Sequence, residues 1–379
     1  MKSSNQLKCL KDYSHLRLQT LARLVQSGDA HAVRDALDLL AGSLWFETLR
    51  CDLQQITAYG VGKRVQPHTY RPRVEGRWPQ HNNLWAKYAR GLHLPGADTV
   101  IDGNRVVPES GEILTGTVWK VLDTSRPIGD GGDELLRGLS PGVQQSVFKP
   151  GPLAYGRYVR RSAPNLPLKL LESRHDLDAI AATVVLLREA YESENRQRAF
   201  QIGRSLHATL LMAASCLPLC YIAAELIEFF IWQIFPLAAN DEVEFDLDGA
   251  EFCAQIRCFN RALLSLEDLG RIKTVNFGAE WRKVLSFEFG FDLFYGLGPR
   301  WKLAKDPEMV SPGSKILVGE NRIGRNWALP SLLSGRVQQL IPDEIEAQMA
   351  LVCQQVLSST HADEADRPNQ SVVTSTQAS

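Results

Sequence analysis

From Ser205 to Ala224 the chain carries no Asp, Glu, Lys or Arg. A charge-free run of this length has two outcomes. It crosses a bilayer as a helix of about 20 residues, or a protein core takes it up. His207, Ser215 and Pro218 interrupt the run. Glu225 and Glu228 follow at once, ahead of a second apolar stretch from Phe229 to Ala239. A carboxylate near the centre of a longer or shifted span would cost roughly 2.5–3.5 kcal/mol on insertion. The leading expectation is a pair of buried core helices bent near Pro218. The alternative is a surface, residues 205–239, that docks on a membrane or a protein partner.

Such a core needs a chain long enough to enclose it. With 379 residues, 44% hydrophobic and 22% charged, this one has room for about two globular domains. Lys plus Arg is 42 against 43 for Asp plus Glu, so any basic surface must be local. Cys9, Cys51, Cys216, Cys220, Cys253, Cys258 and Cys353 are odd in number and irregularly spaced, with no CxxC pair. That suits reduced core thiols better than zinc ligands. The opening residues Met-Lys-Ser-Ser-Asn-Gln-Leu-Lys lack the apolar run of a secretory signal, so a cytoplasmic location is expected.

Residues 14–57 read as a helical hairpin. Leu16, Leu18, Leu21, Leu24 and Val25 form one stripe; Val33, Ala36, Leu37, Leu40 and Leu44 form the next, with Asp29 as its expected cap. Residues 126–156 are dense in Gly and Pro and read as a linker or long connection. Asp176 should cap a helix carrying Leu177, Ile180, Ala181, Val184, Leu187 and Tyr191 on one face. Val243 to Asp248 alternates as a half-buried strand does. The aromatics between Val284 and Tyr295 suggest a strand or hairpin, and Ile316–Val318 a further short strand. Cys253–Leu266 and Ile345–Leu357 read as helices. From Ser358 the chain is polar, without aromatics, and is expected to be disordered.

Residues 63–95 carry the most suggestive local pattern. Trp85, Tyr88, Gly91 and Pro95 follow one another at intervals of three, three and four. Trp85 and Tyr88 stand one turn apart and can pack inward. Gly91 can take the left-handed conformation that ends a helix, and Pro95 can open the next. The stretch resembles the recognition-helix end of Cro/CI-type helix-turn-helix proteins. Pro67, Pro72, Gly76 and Pro79 stand where that family's preceding helix and turn belong, so the motif would be distorted. The resemblance implies duplex DNA as partner. It places Gln80, His81, Asn82 and Asn83 at base edges and Arg77, Lys87 and Arg90 near phosphates. From Lys63 to Arg90 there are seven Lys or Arg against a single acid, Glu75.

A second basic stretch, Tyr155 to Arg161, interleaves aromatics with Arg157, Arg160 and Arg161, a pattern that suits stacking on bases and contact with phosphates. The acidic segment 241–251 could instead hold Mg²⁺ in a metal-dependent nuclease, although Gln255 stands where a calcium loop starting at Glu244 needs its final Glu. Neither Gly-x-Ser-x-Gly, His-Glu-x-x-His nor Gly-x-Gly-x-x-Gly occurs, and Gly62-Lys63 lacks the residues of a phosphate loop. No cofactor is implied.

The expected fold is mainly α with a smaller α+β C-terminal part, its helical N-terminal domain holding a distorted helix-turn-helix. The expected divisions are 1–125, the connection 126–156, a domain 157–357 and a tail 358–379. The expected function is nucleic-acid binding, as a regulator or accessory factor of a bacterial mobile or defence element. A protein partner or a second copy of the chain could share in the assembly.

Overall fold

The computed structural model describes residues 2–29, 31–70, 83–273, 277–336 and 339–365, with side chains for all of these but 2–12, 277 and 359–365. The chain opens on the expected hairpin, α1 (Lys2–Ser27) and α2 (Ala32–Asp52). Gly28 turns between them at a φ of 61°. Asp29 does not cap α2. His31 occupies that position, and Asp29 Oδ1 accepts its backbone N–H at 3.0 Å. Five shorter helices follow: α3 (Ala58–Val65), α4 (Leu84–Ala89), α5 (Ala97–Val106), α6 (Glu112–Thr115) and α7 (Thr117–Leu122).

The Gly/Pro-rich stretch 126–156 is packed structure rather than a linker. It forms α8 (Gly132–Arg137), α9 (Pro141–Val147) and α10 (Pro150–Ala154). Pro141 and Pro150 each sit in a first helical turn, where a missing N–H costs nothing and the fixed φ helps. Leu136, Leu139, Val143, Val147 and Phe148 then bury themselves in the main core. That core draws on residues from Leu21 to Leu332, so both sides of this stretch share it.

Next come α11 (Asn165–Glu172), α12 (Leu177–Glu192), α13 (Arg196–Ala214) and α14 (Ala223–Gln233). Asp176 caps α12 as expected, accepting from Ala179 N at 2.7 Å. The charge-free run fills the end of α13, a short 3-10 turn after Pro218, and the start of α14. Leu210, Leu211, Ile222, Leu226 and Phe230 are buried within protein, which removes them from any docking surface; Leu217 alone among the run's leucines stays largely exposed. Each such side chain taken from water contributes about 1.5–3 kcal/mol. No helix among the described residues is long and apolar enough to cross a membrane.

The C-terminal part holds α15 (Gly249–Asp268), α16 (Phe277–Val284), α17 (Phe291–Leu297), α18 (Pro312–Leu333) and α19 (Asp343–Ala365). Two strands, β1 (Val243–Phe245) and β2 (Trp301–Leu303), pair antiparallel with Val243 opposite Leu303. The chain is thus mostly helical with one small sheet. The strand expected between Val284 and Tyr295 is instead the end of α16, a turn and α17. Phe287, Phe291 and Phe294 recur at helical intervals and meet there as a ring cluster. Ile316–Val318 lies inside α18, which packs against both α17 and α19, so consecutive apolar residues serve two helical faces. The last helix runs on to Ala365, past the expected start of the tail; residues 366–379 lie outside the described residues.

Candidate nucleic-acid interface

The helix that carries Trp85 and Tyr88 and ends before Gly91 is short, Leu84–Ala89, and about 9 Å long. Its C-terminus is a Schellman closure: Gly91 N donates to Tyr88 O at 2.9 Å and Leu92 N to Lys87 O at 3.0 Å. Gly91 has a φ of 64°, as its place after the helix demands. Pro95 does not open the next helix; Gly96 caps α5, which starts at Ala97. Thr57 accepts from Gly60 N and opens α3. Between α3 and α4 runs Gln66–Asn83, where the resembled motif has a short turn, and 71–82 of it lies outside the described residues.

One face of α4 is core. Trp85 and Tyr88 are buried. Trp85 stacks on Trp45 of α2 at 5.8 Å and 19°, and Tyr88 stands edge-on to both rings at 5.5–5.7 Å. Gly62 of α3 lets the two helices meet: a Cβ there would lie 2.4 Å from Trp85. The other face is solvent. Asn83, Lys87 and Arg90 are exposed, as are Lys63 and Arg64 on α3. Among the described residues none of these four cations is in an ion pair within 4.0 Å.

A buried charge knot ties α4 to the core. Arg17 of α1 donates from Nε to Ala89 O at 2.7 Å, satisfying a carbonyl at the end of α4. Its Nη2 meets Glu47 Oε1 at 2.7 Å, and its Nη1 lies 3.7 Å from Glu225 Oε1 on α14. Arg50 pairs with the second Glu47 oxygen and lies over the Tyr221 ring at 4.0 Å. Burial pushes the Glu225 carboxyl up to about 7, with Arg17 opposing the rise. Truncating a partner in such a group costs about 3–5 kcal/mol, because a buried charge is left alone.

Arg77, Gln80, His81 and Asn82 lie outside the described residues. The second basic stretch does not form a free cationic surface. Arg160 pairs with Asp133 at 2.6 Å and Glu189 at 2.8 Å, and Arg161 donates to Gln145 O at 2.8 Å; Arg157 is exposed. The acidic segment is similarly engaged. Glu244 pairs with Lys302 and Asp246 with Arg300, Glu251 with Arg300 and Arg325, Asp248 caps α15, and Glu242 accepts from Ser311 and Ser314. Among the described residues no group of three or more His, Cys, Asp or Glu is placed to hold a metal ion.

Sequence reasoning missed Arg17, Glu47 and Arg50 as the support of α4. The signal available was Arg17 standing within the stripe Leu16–Leu18–Leu21, where a charge needs a buried partner. Compared with protein families, with curated proteins and with solved structures, the chain shows no match.

Proposed function

We propose that this protein binds nucleic acid, with duplex DNA as the target, through the exposed face of α3 and α4. The observation that carries the reading is the division of α4. Trp85 and Tyr88 anchor it in the core, while Asn83, Lys87 and Arg90 stand in solvent, as do Lys63 and Arg64 on the neighbouring α3. Cations that fold onto carboxylates, as Arg160 does, have no charge to spare for phosphate. These four have no such partner among the described residues. On this reading phosphate contacts give affinity and Asn83 adds discrimination.

The test is a binding titration on mixed duplex DNA across a salt series. Lys87→Ala with Arg90→Ala should flatten the slope of log affinity against log salt by about 0.9 per lost contact, or about two for the pair. Stability should move by less than about 0.5 kcal/mol per site, because both side chains are exposed. A folded double variant with unchanged affinity and slope refutes the interface.

A further inference from the structure

A cleft of about 690 Å³ opens between α11, α13, the α16–α17 segment, β2 and α18, far in sequence from the α3–α4 face. Its lining combines two chemistries. Lys169, Arg204 and Arg282 line it together with Glu172, whose carboxyl feels all three. Burial pushes that carboxyl up, and the Ser205 hydroxyl and the three cations oppose the rise. Among the described residues none of the three cations is in an ion pair within 4.0 Å, and Arg204 lies over the Trp301 ring at 5.3 Å. Glu320 is a second carboxylate in the lining, so three cations against two carboxylates leave about one positive charge unmatched.

The second part of the lining is aromatic. Phe287 stacks on Phe294 with ring centres 3.7 Å apart and planes 25° apart, and Phe294 meets Tyr295 edge-on at 5.2 Å. Phe287 is 51% exposed, so a flat apolar face is offered to the cleft mouth rather than spent on the core.

The lining around Gly298 is held from behind. Gln255 Nε2 donates to Gly296 O at 3.0 Å and Gly298 O at 2.9 Å, and Arg325 donates to Gly298 O and pairs with Glu251. Asn321 accepts from Trp301 N at 3.2 Å and donates to Pro299 O at 3.1 Å. His207 lines the same wall, 1% exposed, with the Gln255 side chain beside it.

We propose that this cleft binds a nucleoside monophosphate, with its phosphate among Lys169, Arg204 and Arg282 and its base against the Phe287–Phe294 pair. A bare inorganic anion would leave the aromatic rings unused. A neutral apolar molecule would leave the excess positive charge unmatched. The volume is in the range of small-molecule sites. The proposal is independent of the α3–α4 interface. The ligand can be a free nucleotide or the phosphorylated end of a strand, since both present the same groups.

The experiment is calorimetric titration of the full chain with each of the four common ribonucleoside 5′-monophosphates, with the matching nucleosides and with inorganic phosphate. At least one nucleotide should bind about tenfold or more tightly than both its nucleoside and phosphate. Arg282→Gln should remove most of that advantage and leave nucleoside binding unchanged, with Arg204→Gln as the second variant if the first does not fold. Phe287→Ala, an exposed site, should weaken nucleotide and nucleoside alike by about fivefold or more, the range of base–aromatic stacking. A 5′-phosphorylated tetranucleotide that binds more tightly than the mononucleotide identifies a strand end as ligand; weaker binding identifies the free nucleotide. The Lys87/Arg90 double variant should bind nucleotide as the unaltered chain does, so the two readings can fail separately. The proposal is overturned if no nucleotide binds better than inorganic phosphate, or if the folded variants bind as the unaltered chain does.

Discussion

Glu225→Gln isolates the least expected charge in the core. The side chain is fully buried, its nearest cation is Arg17 at 3.7 Å, and its carboxyl sits at about 7 against an ordinary value of 4.5. Folding therefore takes up a proton between those values, and stability drains away as pH rises through that window. Integrating the titration of this one group gives a loss of about 2–3 kcal/mol between about pH 5 and about pH 8. His207 works in the other direction. Burial, with Arg325 adding to it, drives its imidazole down from 6.5 to about 3, so its contribution grows as pH rises from about 3 to 6.5. Between about 4.5 and 6.5 the two groups offset each other. Glutamine keeps the shape and cannot ionise, so the variant keeps the rise from His207 and loses the opposing fall from Glu225. Urea unfolding of both chains at four pH values between about 5 and 8 measures this. The stability difference should shift by about 2–3 kcal/mol in favour of the variant, groups common to both chains cancelling. Two parallel curves would refute the reasoning.

Trp85→Ala removes the ring stacked on Trp45 and should cost about 3–5 kcal/mol in urea unfolding; a loss under about 1 kcal/mol would mean the ring is not core. Gly91→Ala puts a Cβ 2.7 Å from Ser43 Oγ and 2.8 Å from Leu39 Cγ at a φ of 64°. It should cost about 1–3 kcal/mol and lower the thermal midpoint, whereas Gly96→Ala, with nothing within 4 Å, serves as the mild control.

The fold was readable where one period governed a long segment. The stripes of α1, α2 and α12 lie where their apolar spacing put them, and Asp176 caps α12 because its carboxylate stands three residues before an orphan N–H. The reading failed where one residue type serves two purposes. Pro141 and Pro150 looked like breaks, yet proline also starts helices, and only the burial of Val143, Val147 and Phe148 decides between the two. Phe287, Phe289 and Phe291 alternate as a strand would, while Phe287, Phe291 and Phe294 are spaced as a helix would be. Packing against α18 settled α17 as helix.

Sites built from distant residues leave no local pattern. Arg17, Glu47, Arg50 and Glu225 come from α1, α2 and α14, and the cleft cations Lys169, Arg204 and Arg282 from α11, α13 and α16. None of these sets has a fixed spacing, so counting along the chain cannot find them. The same physics explains why two basic stretches of similar appearance diverged. A local excess of Lys and Arg counts charges along the chain, but the field a phosphate meets depends on carboxylates brought in by folding. Asp133 and Glu189 come onto Arg160 from 27 and 29 residues away and cancel it. No described carboxylate comes within 4.0 Å of Lys63, Arg64, Lys87 or Arg90. A basic stretch is therefore evidence for a nucleic-acid surface only after its long-range partners are known: among the described residues the α3–α4 cations have no carboxylate within 4.0 Å, while Arg160 has two.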